Sequence, residues 1–309
     1  MGKLSASSWT GLVLLAAALA APYLVYPEFA MAVLCFALFA CAFNLLTGYT
    51  GLLSFGHAAF FGGAAYIAGH AMLAWGLPPA LGILAGTAAA TLMGLVMGSL
   101  AIRRQGIYFA MITLAFAQLV YFLAVELPFT GGEDGLQNIP RGPFIWVFDV
   151  TDSHRLYYVV LAITLAGFLA IQRIIHSPFG QVLKAIRENE PRMVSLGYRT
   201  ERYKLLAFVL SAGFAGLAGA TKTLVFQLAS LTDVQWQSSG EVVLMTLLGG
   251  IGTVYGPLVG AVIIVTLENY LASAGSWVTI IEGAVFVVCV LLFRRGIVGE
   301  IAHRLGRAR

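Results

Sequence analysis

Few side chains in this sequence are placed to do chemistry, and the most conspicuous are single charges inside apolar stretches. Lys222, Glu268 and Glu282 each interrupt an otherwise apolar run. An ionised group in hydrocarbon is costly unless it pairs or reaches the interface. The three lie at depths matching to within about one helical turn. Lys222 is therefore expected to pair with Glu268 or Glu282, or otherwise to extend to the outer interface. His57 has no acidic neighbour in sequence and reads as a packing or hydrogen-bonding histidine. Cys35, Cys41 and Cys289 fall in apolar runs, without metal-ligand spacing or a disulfide framework, and read as small hydrophobes. The phosphate loop G-x-x-x-x-G-K-[ST] does not occur, and neither does H-E-x-x-H. No catalytic residue, metal site or bound cofactor is expected, so any ATP would be hydrolysed on separate subunits.

A different kind of site is suggested by two glycine-interrupted apolar segments, one in each half. The first runs from Asn44 through Thr47, Gly48 and Gly51 to Gly56 and His57; the second runs from Leu247 through Gly249, Gly250 and Gly252 to Gly256 and Pro257. Broken backbone at membrane depth is tolerated where protein buries it or a polar cavity hydrates it. Matching breaks in two halves point to a central pathway; the alternative is a pair of turns between spans. Asn44, Thr47, Gly48, Gly249 and Gly250, with Tyr108, Thr113 and Gln118, are the candidates to line such a pathway.

These residues need a membrane to position them. Of 309 residues, 60% are apolar and 10% are charged, against roughly 25% charged in soluble domains. Too little polar surface remains to cover a soluble fold. Apolar stretches occur at 10–26, 29–47, 54–75, 78–102, 107–127, 157–175, 205–227, 242–252, 256–272 and 278–293. A crossing takes about 20 residues, so the eighth stretch is too short unless it begins further upstream. The expected fold is an all-α, polytopic membrane helix bundle of about ten transmembrane helices, a single transmembrane domain over residues 1–309. Lys3, the run Leu12–Ala20 and Ala18-Leu19-Ala20 imitate a secretory signal, but an even number of spans is better served if this stretch stays as the first. Both ends then share a side, and that side collects 15 of the 18 lysines and arginines. The positive-inside rule makes it cytoplasmic, so the net charge of +4 is a topological signal and implies no nucleic acid.

The cytoplasmic segment 176–203 carries its own structure. Ser177-Pro178 starts a helix, with serine as N-cap and proline at the first helical position. Val182, Leu183 and Ile186 share one side, while Lys184 and Glu188 are spaced to pair on the other. Glu190-Pro191 should end this helix, and a second short one should stop at Gly197. Two amphipathic helices of mixed charge suit a cytosolic protein partner better than lipid headgroups.

These residues resemble the LivM-type permeases of branched-chain amino acid ABC importers. The likeness runs through Asn44–Tyr66, Gly106–Gln118, Thr130–Leu136, Ser177–Ala220 and Leu247–Gly260, in the family's order. It implies a permease subunit paired with a second, homologous permease, two cytosolic ATPase subunits and a periplasmic solute-binding protein. The substrate would be a branched-chain amino acid, or urea, an amide or a small carboxylate. Residues 177–197 would be the ATPase-coupling loop, with Ala185, Arg187, Glu188, Glu190 and Gly197 in the matching places. The Thr130–Leu136 turn, bearing Glu133 and Asp134, reads either as a contact for the binding protein or as a solvated loop. A stand-alone, ion-coupled secondary transporter is the rival reading, and carboxylates at mid-membrane would favour it.

Overall fold

The computed structural model describes residues 6–144, 149–271 and 296–304, with 280, 281, 283, 284, 287, 288 and 291 between the last two stretches. Among the described residues the chain is helical, with only isolated β-bridges. The long and medium helices are α1 (Ala6–Leu24), α2 (Pro27–Thr50), α3 (His57–Leu73), α4 (Pro79–Ala101), α5 (Ile107–Glu126) and α6 (Ser153–His176). Two short helices follow, α7 (Pro178–Glu188) and α8 (Glu190–Ser195). The chain continues with α9 (Thr200–Phe226), α10 (Trp236–Gly249), α11 (Gly256–Leu271) and α12 (Gly296–Arg304).

Nine of the ten apolar stretches coincide with helices, and the stretch 278–293 lies mostly outside the described residues. Five of these helices, α2, α4, α5, α6 and α9, are long and apolar enough to cross a membrane. The short eighth stretch does begin upstream, at Trp236.

α2 is apolar on every side and is correspondingly enclosed, with Ala37–Thr50 buried without interruption. It packs on α6, α9, α10 and α11. α9 forms the other axis of the bundle, lying against α2, α3 and α4. Small residues make that approach possible. A Cβ on Gly219 would collide with the Phe61 carbonyl of α3, and one on Gly94 would collide with Ala212 of α9. The faces of α4 and α5 turned away from this core are open, with Leu84, Leu92, Val96, Met111 and Phe122 all more than half exposed. In a bilayer, such faces are solvated by lipid or covered by a neighbouring subunit.

Candidate coupling and translocation site

The two short helices α7 and α8 form an elbow at the end of the bundle. Ser177 caps α7, its Oγ accepting from Gly180 N at 3.4 Å, with Pro178 in the first turn. Gly180 is required because a Cβ would strike the Ile174 and Ile175 carbonyls that finish α6. Leu183 and Ile186 are buried, and Met193 is the buried residue of α8. The break between the helices falls one residue earlier than expected. Asn189, not Glu190, leaves the helical region (φ −157°, ψ 90°), and its Oδ1 accepts from Arg192 N at 3.0 Å as the N-cap of α8. Gly197 turns the chain with φ 88°, as its position suggested.

Each candidate coupling residue then has a definite place. Ala185 is half-buried and Glu188 is exposed. Lys184 stands over the Tyr49 ring at 5.5 Å instead of pairing with Glu188. Glu190 is turned inward, and its carboxylate meets Lys204 Nζ at 2.6 Å, accepts from Thr200 Oγ1 at 2.9 Å and accepts from Gln105 Nε2 at 3.1 Å. One carboxylate thus fastens the elbow to the start of α9 and to the α4–α5 connection. Arg187 is exposed, but its Nη1 donates to the Gly48 carbonyl of α2.

That contact reaches the glycine breaks, which the fold brings together. Asn44 spans them as a two-point clamp: its Oδ1 accepts from Gly252 N at 2.9 Å and its Nδ2 donates to Thr253 O at 2.9 Å. The approach is so close that a Cβ on Gly48 would lie 2.8 Å from Gly252 N. Around it, Thr47 Oγ1 donates to Leu52 O at 3.0 Å, and Thr253 Oγ1 donates to Gly250 O at 2.7 Å. Gly250 and Gly252 carry φ values of 120° and 77°, a turn that L side chains rarely adopt. Gly249 packs directly on the backbone of Gly256 and Gly260.

The other pathway candidates lie elsewhere. Thr113 is buried and accepts from Phe55 N at 3.1 Å, holding the α2–α3 connection. Tyr108 and Gln118, on the same helix, are exposed on its open face. His57 is a packing histidine: it is buried, bonded through Nε2 to Ser211 Oγ at 2.8 Å, and ringed by Phe43, Phe60 and Phe208.

The expected intramembrane ion pair needs correction. Lys222 does pair, but with Asp233 in the turn after α9, not with Glu268. Glu268 belongs to α11, which packs on α2 and α10. Glu282 and Cys289 lie outside the described residues. The chain reverses just beyond α9 through Gln227, in a left-handed conformation (φ 54°), and this brings Asp233 back beneath the ammonium. Phe36, Phe61 and Phe226 surround Lys222 Nζ at 5.5–5.7 Å. At the same end, Arg141 donates to the Leu224 and Val225 carbonyls that finish α9. Glu133 and Asp134 are exposed there, in a short 3₁₀ turn. Among the described residues, no cluster of His, Cys, Asp or Glu could hold a metal.

The chain is 25% identical over 283 residues to the high-affinity branched-chain amino acid transport system permease protein LivM of Escherichia coli, covering 82% of this chain and 65% of the relative. It is 27% identical over 190 residues to a probable LivM of Methanocaldococcus jannaschii, covering 58% of this chain and 53% of that one. It is 29% identical over 195 residues to the ribose import permease protein RbsC of Bacillus subtilis, covering 58% of each. The chain thus spans just under two thirds of the length of the LivM relative that it matches over most of its own sequence. No solved structure matches it. The family model for the permease component of branched-chain amino acid transport systems matches residues 8–292. With its run of apolar helices, the chain is a multi-pass inner-membrane protein, and it belongs to that permease family.

Proposed function

We propose that this chain is the membrane-spanning permease subunit of an ABC importer, moving branched-chain amino acids or a closely related small polar solute inward. ATP is hydrolysed on two cytosolic partners. A second, homologous permease completes the channel, and a periplasmic binding protein delivers the solute. The chain crosses the membrane about ten times with both ends in the cytoplasm.

One observation carries this reading: the elbow α7–α8 is fastened to the bundle on its inner side and bare on its outer side. Arg187 and Glu190 hold the inner side. Outside, Glu188, Arg192, Val194, Leu196 and Tyr198 are exposed. Apolar and charged side chains are mixed on this small surface, and Arg103, Arg104 and Arg173 are exposed at the neighbouring helix ends. A lipid surface would favour a uniformly basic face over an apolar one, whereas mixed chemistry suits a protein groove. The exposed stripe of α5 with Tyr108 and Gln118 supports those two as pathway residues, facing the second permease.

The test is capture of a nucleotide-binding partner from detergent-solubilised membranes. The intact chain should retain ATPase subunits, and a Glu188→Ala/Leu196→Ala variant should lose them while keeping its fold. Transport by the intact chain reconstituted alone would overturn the reading in favour of an ion-coupled carrier.

A further inference from the structure

Arg187 is an exposed residue of the docking helix, yet its guanidinium bonds back to the backbone of the bundle. α2 ends at Thr50, so its last carbonyls lack helical partners. Gly51 N satisfies Thr47 O, and Leu52 N turns aside to Thr50 Oγ1. The Gly48 carbonyl is met by Arg187, a cation at a helix C-terminus, where the dipole favours it. The same side chain fills the gap left by two glycines. A Cβ on Gly51 would lie 3.2 Å from Arg187 Cγ, and one on Gly252 would lie 3.2 Å from Arg187 Nη1. Directly behind, Asn44 ties α2 to Gly252 and Thr253. Three elements distant in sequence, α7, the end of α2 and the α10–α11 turn, therefore meet at one half-exposed polar junction.

We infer that Arg187 is a positioning residue that locks the elbow to both glycine breaks, with Asn44 as the second half of the lock. Displacement of the elbow is thereby passed to α2 and to the α10–α11 turn together. The inference rests on the proposed docking role of the elbow, but assigns the Arg187 guanidinium to the permease backbone and leaves capture of the ATPases to the other exposed side chains of the elbow. Charge-assisted bonds to backbone are among the stronger polar contacts. A junction of such bonds offers the discrete arrangements that coupling between sites requires.

Two measurements separate this inference from the reading it rests on. The first is amide hydrogen exchange on the purified permease alone. Arg187→Ala is expected to speed exchange at residues 250–253 by about tenfold, since local opening sets the rate; unchanged exchange there overturns the lock, whatever the chain binds. The second uses the complex co-purified with its ATPase subunits, reconstituted in liposomes and given radiolabelled leucine. Arg187→Ala and Asn44→Ala should each keep the ATPases and hydrolyse ATP at about the normal rate, yet take up about tenfold less leucine per ATP, within the roughly 5–150-fold span of coupling between sites. The double variant should be no worse than either single one, and Arg187→Lys should recover part of the loss. Loss of the ATPases from Arg187→Ala alone would make it a docking contact and overturn the inference, as would normal uptake. If the intact chain retains no ATPase, the function reading fails, and the lock is decided by the exchange measurement.

Discussion

Helix α9 carries a nearly buried lysine towards each end, and the two are treated differently. Lys204 has a side chain 3% exposed and pairs with Glu190, which is 22% exposed. That carboxylate belongs to the elbow and is shared with Thr200 and Gln105, so it joins three segments. Lys222 is 16% exposed and pairs with Asp233, which is 6% exposed. Here the partner lies eleven residues on, and aromatic rings fill the remaining space. The first pair ties a surface element to the bundle, with water at hand. The second closes one local turn, and its carboxylate is the less exposed of the two. The same chemistry serves attachment at one end and rigidity at the other.

The sharpest way to break this contrast is to remove a cation. Lys222→Met leaves Asp233 charged and enclosed, and should cost about 3–5 kcal/mol of stability, read from denaturant unfolding in detergent. Adding Asp233→Leu should restore most of it; no recovery would mean that the ion pair is not the source of the loss. Glu190→Ala should cost less, about 1–3 kcal/mol, because the carboxylate removed is itself 22% exposed and water can take its place. Capture of the ATPases should fall with it, which no change at Lys222 should produce in a folded chain. Gly252→Ala forces a side chain into a left-handed backbone and should cost about 1–2 kcal/mol. Its leucine uptake should fall further than that loss explains, because the new Cβ crowds Arg187. Arg192→Ala/Leu196→Ala on the bare face should change stability by no more than about 0.5 kcal/mol per site and still abolish ATPase capture; retained capture would move the docking surface elsewhere.

Much of the bundle was legible because hydropathy reports length and burial directly. The start of α7 at Ser177-Pro178 and the turn at Gly197 were legible from cap chemistry, which is local. The glycine breaks could be recognised as a pair, yet nothing local said that Asn44 would join them, since its partners lie 208 and 209 residues away. The partner of Lys222 was misjudged for a related reason. Depth alone made Glu268 and Glu282 plausible, whereas the reversal at Gln227 that delivers Asp233 leaves no hydropathy trace. Glu190 drew attention as a coupling residue, but its buried cation, Lys204, looked like one more cytoplasmic charge. The one-residue error at Asn189 arose because Pro191 suggested the break, while the Asn189 cap to Arg192 decided it.

Fastened at both ends, α9 has the properties of a lever. Its 27 residues make a rod about 40 Å long, stiffened along its length by glycine and alanine contacts with α3 and α4. A rod of that length tilted by about 5° sweeps its far tip through about 3.5 Å, enough to open or shut a passage for a small solute. Because Glu190 grips the near tip and Asp233 the far one, a push of ångström size on one face of the membrane need not fade before it reaches the other.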